Sequence, residues 1–197
     1  LPFAERLDQL RKPDVRAAIL SERDVRSGKS GMMANANVIF RQALPHLYEL
    51  ALPIDYEPTP DQCFAERAKR VGKTNEEFMY DFLIENDGRN FAIVLGSNFY
   101  DGNFDVIREM LLHPDTITGL SDAGAHVNLI FDGVAPTYQM IHWGRDRVRG
   151  EGLPLEFIVA KQTKRNADLY GMTDRGSLEV GKRADINVID FDRLKLG

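Results

Sequence analysis

Residues 116–126 are Thr-Ile-Thr-Gly-Leu-Ser-Asp-Ala-Gly-Ala-His. The β-branched run at residues 116–118 predicts a short buried strand, and the small residues around Gly124 predict the turn that follows it. Asp122 lies between the two. A carboxylate at the carboxyl end of a strand, with small neighbours, can face a cavity that a ligand enters. We therefore treat Asp122 as a candidate catalytic acid/base at the mouth of a barrel; the alternative is a turn or helix-cap residue.

The residues before this stretch predict a βαβ unit. The continuous apolar run at residues 91–96 is typical of a strand buried on both faces. A polar loop at residues 97–103 and a helical pattern at residues 104–112 connect this run to the next strand. This order predicts a parallel pair with a right-handed crossover. Because ligands gather at the carboxyl ends of such strands, we expect the loop and Asp122 at the same edge.

Helical patterns dominate the rest of the chain. Residues 1–21 predict a helical hairpin that restarts at Pro13, and residues 136–143 have helical spacing. Sequences at Thr59 and Thr74 have the form of capping boxes and predict two helix starts. Residues 154–170 predict one long amphipathic helix that stops at Gly171. Short strands are expected at residues 38–40 and 46–52. Residues 176–190 predict two further strands joined by a glycine turn.

Composition excludes several classes of protein. The length of 197 residues fits one domain or slightly more. Because 43% of the residues are hydrophobic, the chain can bury a sizeable core. A net charge of -5 argues against electrostatic binding of nucleic acid. Cys63 is the single cysteine, so an internal disulfide is impossible and a cytoplasmic location is expected. No apolar run is long enough to cross a membrane. The sequence begins inside a predicted helix and ends just after a strand-like segment, which leads us to expect a piece of a longer protein.

Three segments carry a family resemblance. Residues 176–190 follow the pattern Gly-x-Leu-x-x-Gly-x-x-Ala-Asp-x-x-Val-x-Asp. This pattern resembles the entry to the C-terminal β-sandwich of the amidohydrolase superfamily. His113-Pro114, followed by Gly-Leu-Ser-Asp at residues 119–122, resembles the strand-8 aspartate region of the N-acyl-D-amino-acid deacylase (D-aminoacylase) branch. Residues 136–170 are similar to the same branch.

The resemblance implies an α/β fold: the C-terminal part of a helix-rich (βα)8 TIM-type barrel at residues 1–172, then the first strands of a small β-sandwich at residues 173–197. It implies a metal-dependent hydrolase that cleaves a linear amide, converting an N-acyl-D-amino acid into a D-amino acid and a carboxylate. Asp122 would take a proton from a zinc-bound water and pass it to the leaving amine. The alternatives are a dihydroorotase- or hydantoinase-like amidohydrolase, and a non-catalytic α/β interaction module.

The metal site implied by the resemblance is incomplete in this sequence. The family's first-strand His-x-His is absent, and the four histidines are scattered: His46, His113, His126 and His142. Asp122 is a candidate metal ligand only if the main ligands come from residues outside this chain. We therefore expect zinc in the full-length parent, no cofactor in this chain alone, and an inactive isolated chain.

Two further residues are candidates for contact with a small-molecule substrate. His126 follows Asp122 by four residues, and Arg145 carries a guanidinium suited to bidentate contact with a carboxylate. The alternatives are a loop histidine and a solvated arginine-rich loop. A partial barrel leaves open strand edges and an exposed apolar face, so we also expect self-association. Partners in nucleic acid or membrane are not expected.

Overall fold

The computed structural model describes residues 1–22, 42–119, 123 and 132–196. The chain divides into two compact units, Leu1–Phe104 and Asp105–Gly197. Helices dominate both units, and the strands found among the described residues belong to the first unit. The chain is thus mixed α/β and helix-rich, as predicted. The domain boundary expected between residues 172 and 173 stays a prediction, and so does the barrel.

The first unit begins with the predicted helical hairpin. Helix α1 spans Phe3–Leu10 and helix α2 spans Pro13–Ser21. Pro13 begins α2 because its fixed φ suits the first helical turn, where its missing N–H removes no hydrogen bond. Leu7 is the buried residue of α1, with 6% of its own surface exposed. The hairpin prediction is confirmed.

Of the next two helices, the second begins at a capping box. Helix α3 spans Phe64–Arg70 and helix α4 spans Asn75–Ile84. The Glu77 N–H donates to Thr74 Oγ1 at 3.2 Å, and the Thr74 N–H donates to Glu77 Oε2 at 2.9 Å. These two bonds form the predicted capping box and satisfy donors that have no partner within the helix. The box at Thr59 starts only a 3₁₀ turn, Pro60–Gln62, ahead of α3.

The sheet differs from the predicted one. Strand β1, Leu47–Leu50, pairs antiparallel with strand β2, Phe91–Val94. Residues 116–119 form no strand, so the predicted parallel βαβ unit is wrong for the described residues. The predicted burial of both faces of β2 is also wrong, because Phe91 is 65% exposed and Val94 is 46% exposed. An apolar run indicates that a segment is buried or paired, but it does not identify the partner strand.

Three aromatic rings form the core of the first unit. Phe64 is fully buried and packs edge-on against Phe78 at 5.1 Å and Phe82 at 4.8 Å, measured between ring centroids. Leu47 of β1 joins the same cluster. The aromatic stripe of α4 is therefore core, as the helical spacing predicts.

The second unit is built from helices. Helix α5 spans Asp105–Leu112, and helix α6, Ala135–Tyr138, continues into the π-helix Gln139–Asp146. Helix α7 spans Leu155–Gln162 and helix α8 spans Lys164–Leu169. The helical patterns at residues 104–112 and 136–143 are confirmed, the second of them in a wider helical form.

The prediction of a single long helix at residues 154–170 is wrong, because the structure has two helices there. Thr163, with φ −120° and ψ −84°, separates α7 from α8. Its hydroxyl donates to the Val159 carbonyl at 2.7 Å, a local bond that competes with regular helix geometry. The glycine stop is confirmed: Gly171 has φ +67°, and the Met172 N–H donates to the Ala167 carbonyl at 2.8 Å in a Schellman motif.

The tail contains no strand at residues 173–196, so the two strands predicted at residues 176–190 are wrong in this structure. Local turns organise it instead: the Lys182 N–H donates to the Glu179 carbonyl at 3.1 Å. The Arg183 N–H donates to the Asp174 carbonyl at 2.8 Å, but no strand ladder forms at residues 173–196. No helix within the described ranges has both the length and the apolar character needed to cross a membrane.

Candidate functional site

Two of the predicted site residues, Asp122 and His126, lie outside the described residues. The structure does describe the chain that leads to them, residues 116–119. It also describes Arg145 and three of the four histidines. The contacts of these residues define the described part of the predicted site.

Side chains, and not a β-ladder, hold residues 116–118 in place. The Thr116 hydroxyl lies 2.5 Å from the Met110 carbonyl oxygen and 3.0 Å from the His113 carbonyl oxygen, at the end of α5. Thr118, 9% exposed, donates from its hydroxyl to the Lys161 carbonyl at 3.2 Å. Asn166 Nδ2 donates to the Thr118 carbonyl at 2.8 Å. Helices α5, α7 and α8 therefore all contribute to the position of this segment.

Lys161 of α7 is the most deeply buried charged residue at this place, with 1% of its surface exposed. Its Nζ donates to the Thr116 carbonyl at 2.7 Å and to Thr116 Oγ1 at 2.8 Å. Burial lowers the pKa of the Lys161 ammonium, and the nearby charge of Arg165 lowers it further. Sequence reasoning missed this residue. Its signal was its spacing, since Lys161 follows the core residue Ile158 by three positions and shares that helix face.

Arg145, a predicted substrate contact, binds groups of its own chain. Its guanidinium donates from Nε and Nη2 to the Asp146 carboxylate at 2.6 and 3.0 Å. Nη1 donates to the Phe191 carbonyl at 2.5 Å, and Nη2 donates to the Leu194 carbonyl at 3.0 Å. The Arg145 guanidinium holds the pKa of Asp146 below its usual value. Arg145 thus fastens the tail to the π-helix, and its contact with substrate stays a prediction.

The described residues do not fit a metal site. They contain no group of three or more His, Cys, Asp or Glu side chains that could hold a metal ion. His113 Nδ1 accepts a hydrogen bond from the Asp115 N–H at 3.2 Å. His142 is buried and stacks on Tyr138, with ring centroids 5.2 Å apart. Neither histidine has two further possible ligands beside it among the described residues, so this part of the chain alone does not supply a zinc site.

A cavity of about 700 Å³ lies at the carboxyl end of β2 in the first unit. Part of the loop predicted at residues 97–103 lines it. Its wall is mostly apolar with a few polar groups, the composition common to small-molecule sites. The polar and titratable side chains in the wall are those of His46, Tyr48, Cys63, Tyr100 and Asp101.

Comparison with known proteins places the chain in a family. A model of the amidohydrolase family matches residues 2–197. A search of curated proteins found no match, and a search of solved structures found none. The family match covers nearly the entire sequence, including residues 116–119 and the helices that hold them. The chain belongs to the amidohydrolase family.

Proposed function

We propose that this chain carries the catalytic aspartate of a hydrolase that cleaves the linear amide bond of an N-acyl-D-amino acid. The observation that carries the proposal is the amidohydrolase match over residues 2–197. The choice of substrate rests on the resemblance of residues 113–122 and 136–170 to the D-aminoacylase branch. Asp122 is the residue to which we assign the proton transfers.

Asp122 acts in this proposal as a general base and then as a general acid. Its carboxylate takes a proton from the attacking water while the water oxygen bonds to the amide carbon. The carbon–nitrogen bond then breaks, and Asp122 gives the same proton to the leaving nitrogen. The products are a D-amino acid and a carboxylic acid, which ionises at neutral pH. His126 and Arg145 stay our candidates for contact with the substrate.

We propose zinc as a cofactor of the full-length parent only. The described residues do not fit a metal, so no step of the reaction is assigned to one here. We propose that the chain is part of a longer enzyme, and that the metal ligands come from residues outside the described ranges. The isolated chain is then expected to lack hydrolase activity.

Asp122→Asn in the full-length protein tests the proposal, with hydrolysis of N-acetyl-D-amino acids measured by release of the free amine. Loss of the proton acceptor is expected to lower kcat by roughly 10²- to 10⁴-fold. Asp115→Asn is the matched control, because Asp115 is exposed seven positions earlier and is expected to leave turnover unchanged.

Unchanged turnover in Asp122→Asn would overturn the assignment of the catalytic residue. The enzyme could instead hydrolyse cyclic amides such as hydantoins and leave N-acyl-D-amino acids intact. That result would favour the dihydroorotase- or hydantoinase-like alternative. Absence of any hydrolysis in the full-length protein would favour the interaction module.

A further inference from the structure

No step of the proposed reaction uses the cavity of about 700 Å³ at the carboxyl end of β2. Three aromatic side chains line this cavity, those of Tyr48, Phe99 and Tyr100. Tyr48 belongs to β1, and the other two rings belong to the loop that follows β2. A cavity of this volume holds a ligand up to the size of a typical drug. The chemistry of its wall indicates which class of ligand fits.

Tyr48 and Phe99 are fixed with their ring planes at right angles. The two ring centroids lie 6.0 Å apart, with an interplanar angle of 90°. Phe99 also packs edge-on against Phe104, at 5.2 Å between centroids, and both Tyr48 and Phe99 are buried. Perpendicular rings present their π-faces in two directions, as in the aromatic cages that bind quaternary ammonium groups. Because packing already holds both rings, they form two preorganised walls of such a cage.

The loop after β2 places Tyr100 and Asp101 at the rim of the cavity. The loop is anchored at Phe99, whose carbonyl accepts the Gly102 N–H at 3.0 Å. It is anchored again at Gly102, which has φ +69° and lies so close to Pro60 that an added Cβ would be 3.1 Å from Pro60 Cγ. Between these anchors Tyr100 is 93% exposed and Asp101 is exposed, although both line the cavity. Both side chains are therefore open to an entering ligand.

The charge of the cavity wall favours a cation. Asp101 supplies a carboxylate, and the lining residues, all within the described ranges, include no lysine or arginine. Asn103 Nδ2 donates to the backbone carbonyl of Asp101 at 3.2 Å, and no cation in the described part of the chain pairs with its carboxylate. A carboxylate beside aromatic faces attracts a positive group and repels a negative one. The wall therefore suits a positively charged ligand.

We propose that this cavity binds an organic ammonium compound, with the cation against the three aromatic rings and the Asp101 carboxylate as its counter-charge. The apolar body of the ligand lies against Val94 and Leu95, which also line the cavity. None of these residues is assigned to amide hydrolysis, so the two proposals are tested separately.

Choline and its neutral isostere 3,3-dimethyl-1-butanol test the proposal on the 197-residue chain. The two probes have the same shape and differ in charge, so the ratio of their dissociation constants measures recognition of the cation. Ligand-observed NMR at pH 8, where imidazole in water is neutral, gives both constants. We expect choline to bind roughly 5- to 30-fold more tightly than the isostere. The ratio should fall as salt is added, because the Asp101 carboxylate is exposed to screening.

Two variants locate the bound choline. Tyr100→Leu removes one ring and keeps an apolar side chain, and Asp101→Asn removes the charge and keeps the shape. Each is expected to weaken choline binding about 2- to 5-fold. Because both side chains are exposed, neither substitution should disturb the fold, which near-UV circular dichroism checks. Tyr170→Leu and Asp115→Asn are the matched controls, since both residues are exposed and neither lines the cavity.

Equal affinity for choline and the isostere would overturn the proposal, because the cavity would then recognise apolar shape alone. Failure of choline to bind would overturn it too. Unchanged choline affinity in both Tyr100→Leu and Asp101→Asn would place the bound choline elsewhere, and so would an equal loss in the two control variants. None of these results affects the proposed hydrolase function, which depends on the outcome of Asp122→Asn.

Discussion

Single charged residues fasten the elements of the first unit to one another. Asp81 of α4 accepts hydrogen bonds from Arg16 Nε and Nη2 at 2.7 and 2.9 Å, and Lys73 Nζ lies 2.9 Å from its second oxygen. Arg16 belongs to α2, so this carboxylate fixes the N-terminal hairpin against α4. The bond from the Tyr80 hydroxyl to the Leu10 carbonyl, 2.7 Å, holds the hairpin at a second point.

Asp81→Asn is expected to weaken the fold in a pH-dependent way. The hydrogen bonds from Arg16 lower the pKa of Asp81, burial opposes that shift, and the bond from Lys73 adds to it. A carboxyl group whose pKa is lower in the folded than in the unfolded protein stabilises the fold. The full effect is present at pH values above the unfolded pKa, which is about 3.9 for aspartate. This stability is lost as pH falls through the folded pKa. We expect the variant to melt a few degrees below wild type at pH 7.

The difference in melting temperature should shrink as the pH falls below the unfolded pKa of Asp81. Thermal melts followed by circular dichroism across this range measure it. Asp8→Asn serves as the control, because the Asp8 side chain is 72% exposed and lies 3.7 Å from Arg11. A melting difference that stays constant with pH would show that the Asp81 charge does not contribute as described.

At the scale of elements, close backbone contact holds the π-helix Gln139–Asp146 against the loop that follows it. Trp143 is 2% exposed, and its carbonyl accepts the Leu153 N–H at 2.7 Å. A Cβ placed on Gly152 would lie 2.6 Å from the same carbonyl oxygen. The contact therefore requires glycine, because backbone atoms cannot move aside as a flexible side chain can.

Gly152→Ala is expected to destabilise the second unit by about 1–3 kcal/mol, the usual cost of overpacking a well-packed site. Urea unfolding followed by tryptophan fluorescence suits the measurement, since Trp143 is the chain's single tryptophan and lies at the contact. Gly96→Ala is the control: nothing lies within 4 Å of a Cβ added there. Equal stability of the Gly152 variant and wild type would contradict the requirement for glycine.

At the scale of the whole molecule, the chain exposes much apolar surface. Leu178 is 82% exposed, Val188 is 98% exposed, and Phe91 of β2 is 65% exposed. Each strand of the two-stranded sheet has a single partner among the described residues. Unpaired strand edges and apolar patches are surfaces on which proteins associate. These observations support our proposal that the chain self-associates.

Light scattering coupled to size-exclusion chromatography tests this proposal. We expect the measured mass to rise above the 22.3 kDa of one chain as concentration increases. Introducing lysine at Val180 and Val188 should reduce the association, because the charges oppose burial of the tail. Val71→Lys is the matched control, because Val71 follows the last residue of α3 and is exposed. A mass of one chain at every concentration would contradict the proposal.

Local sequence predicted the elements whose cause is local. Two examples are the capping box at Thr74 and Glu77 and the glycine stop at Gly171. Each depends on hydrogen bonds within a few residues, so neighbouring residues are enough to predict it. The aromatic face of α4 followed from helical spacing. Of the candidate site, the sequence identified Arg145 and its affinity for a carboxylate, but the carboxylate in the structure belongs to the adjacent Asp146.

The sequence by itself determined the family, the helix-rich α/β composition and most helix starts, because motifs and caps are read from neighbouring residues. Only the tertiary structure decided which strand pairs with β2 and that Lys161 is buried against Thr116. The physical reason is common to both. Hydrogen-bond partners and burial come from residues far apart in the chain, and a local pattern leaves that choice open.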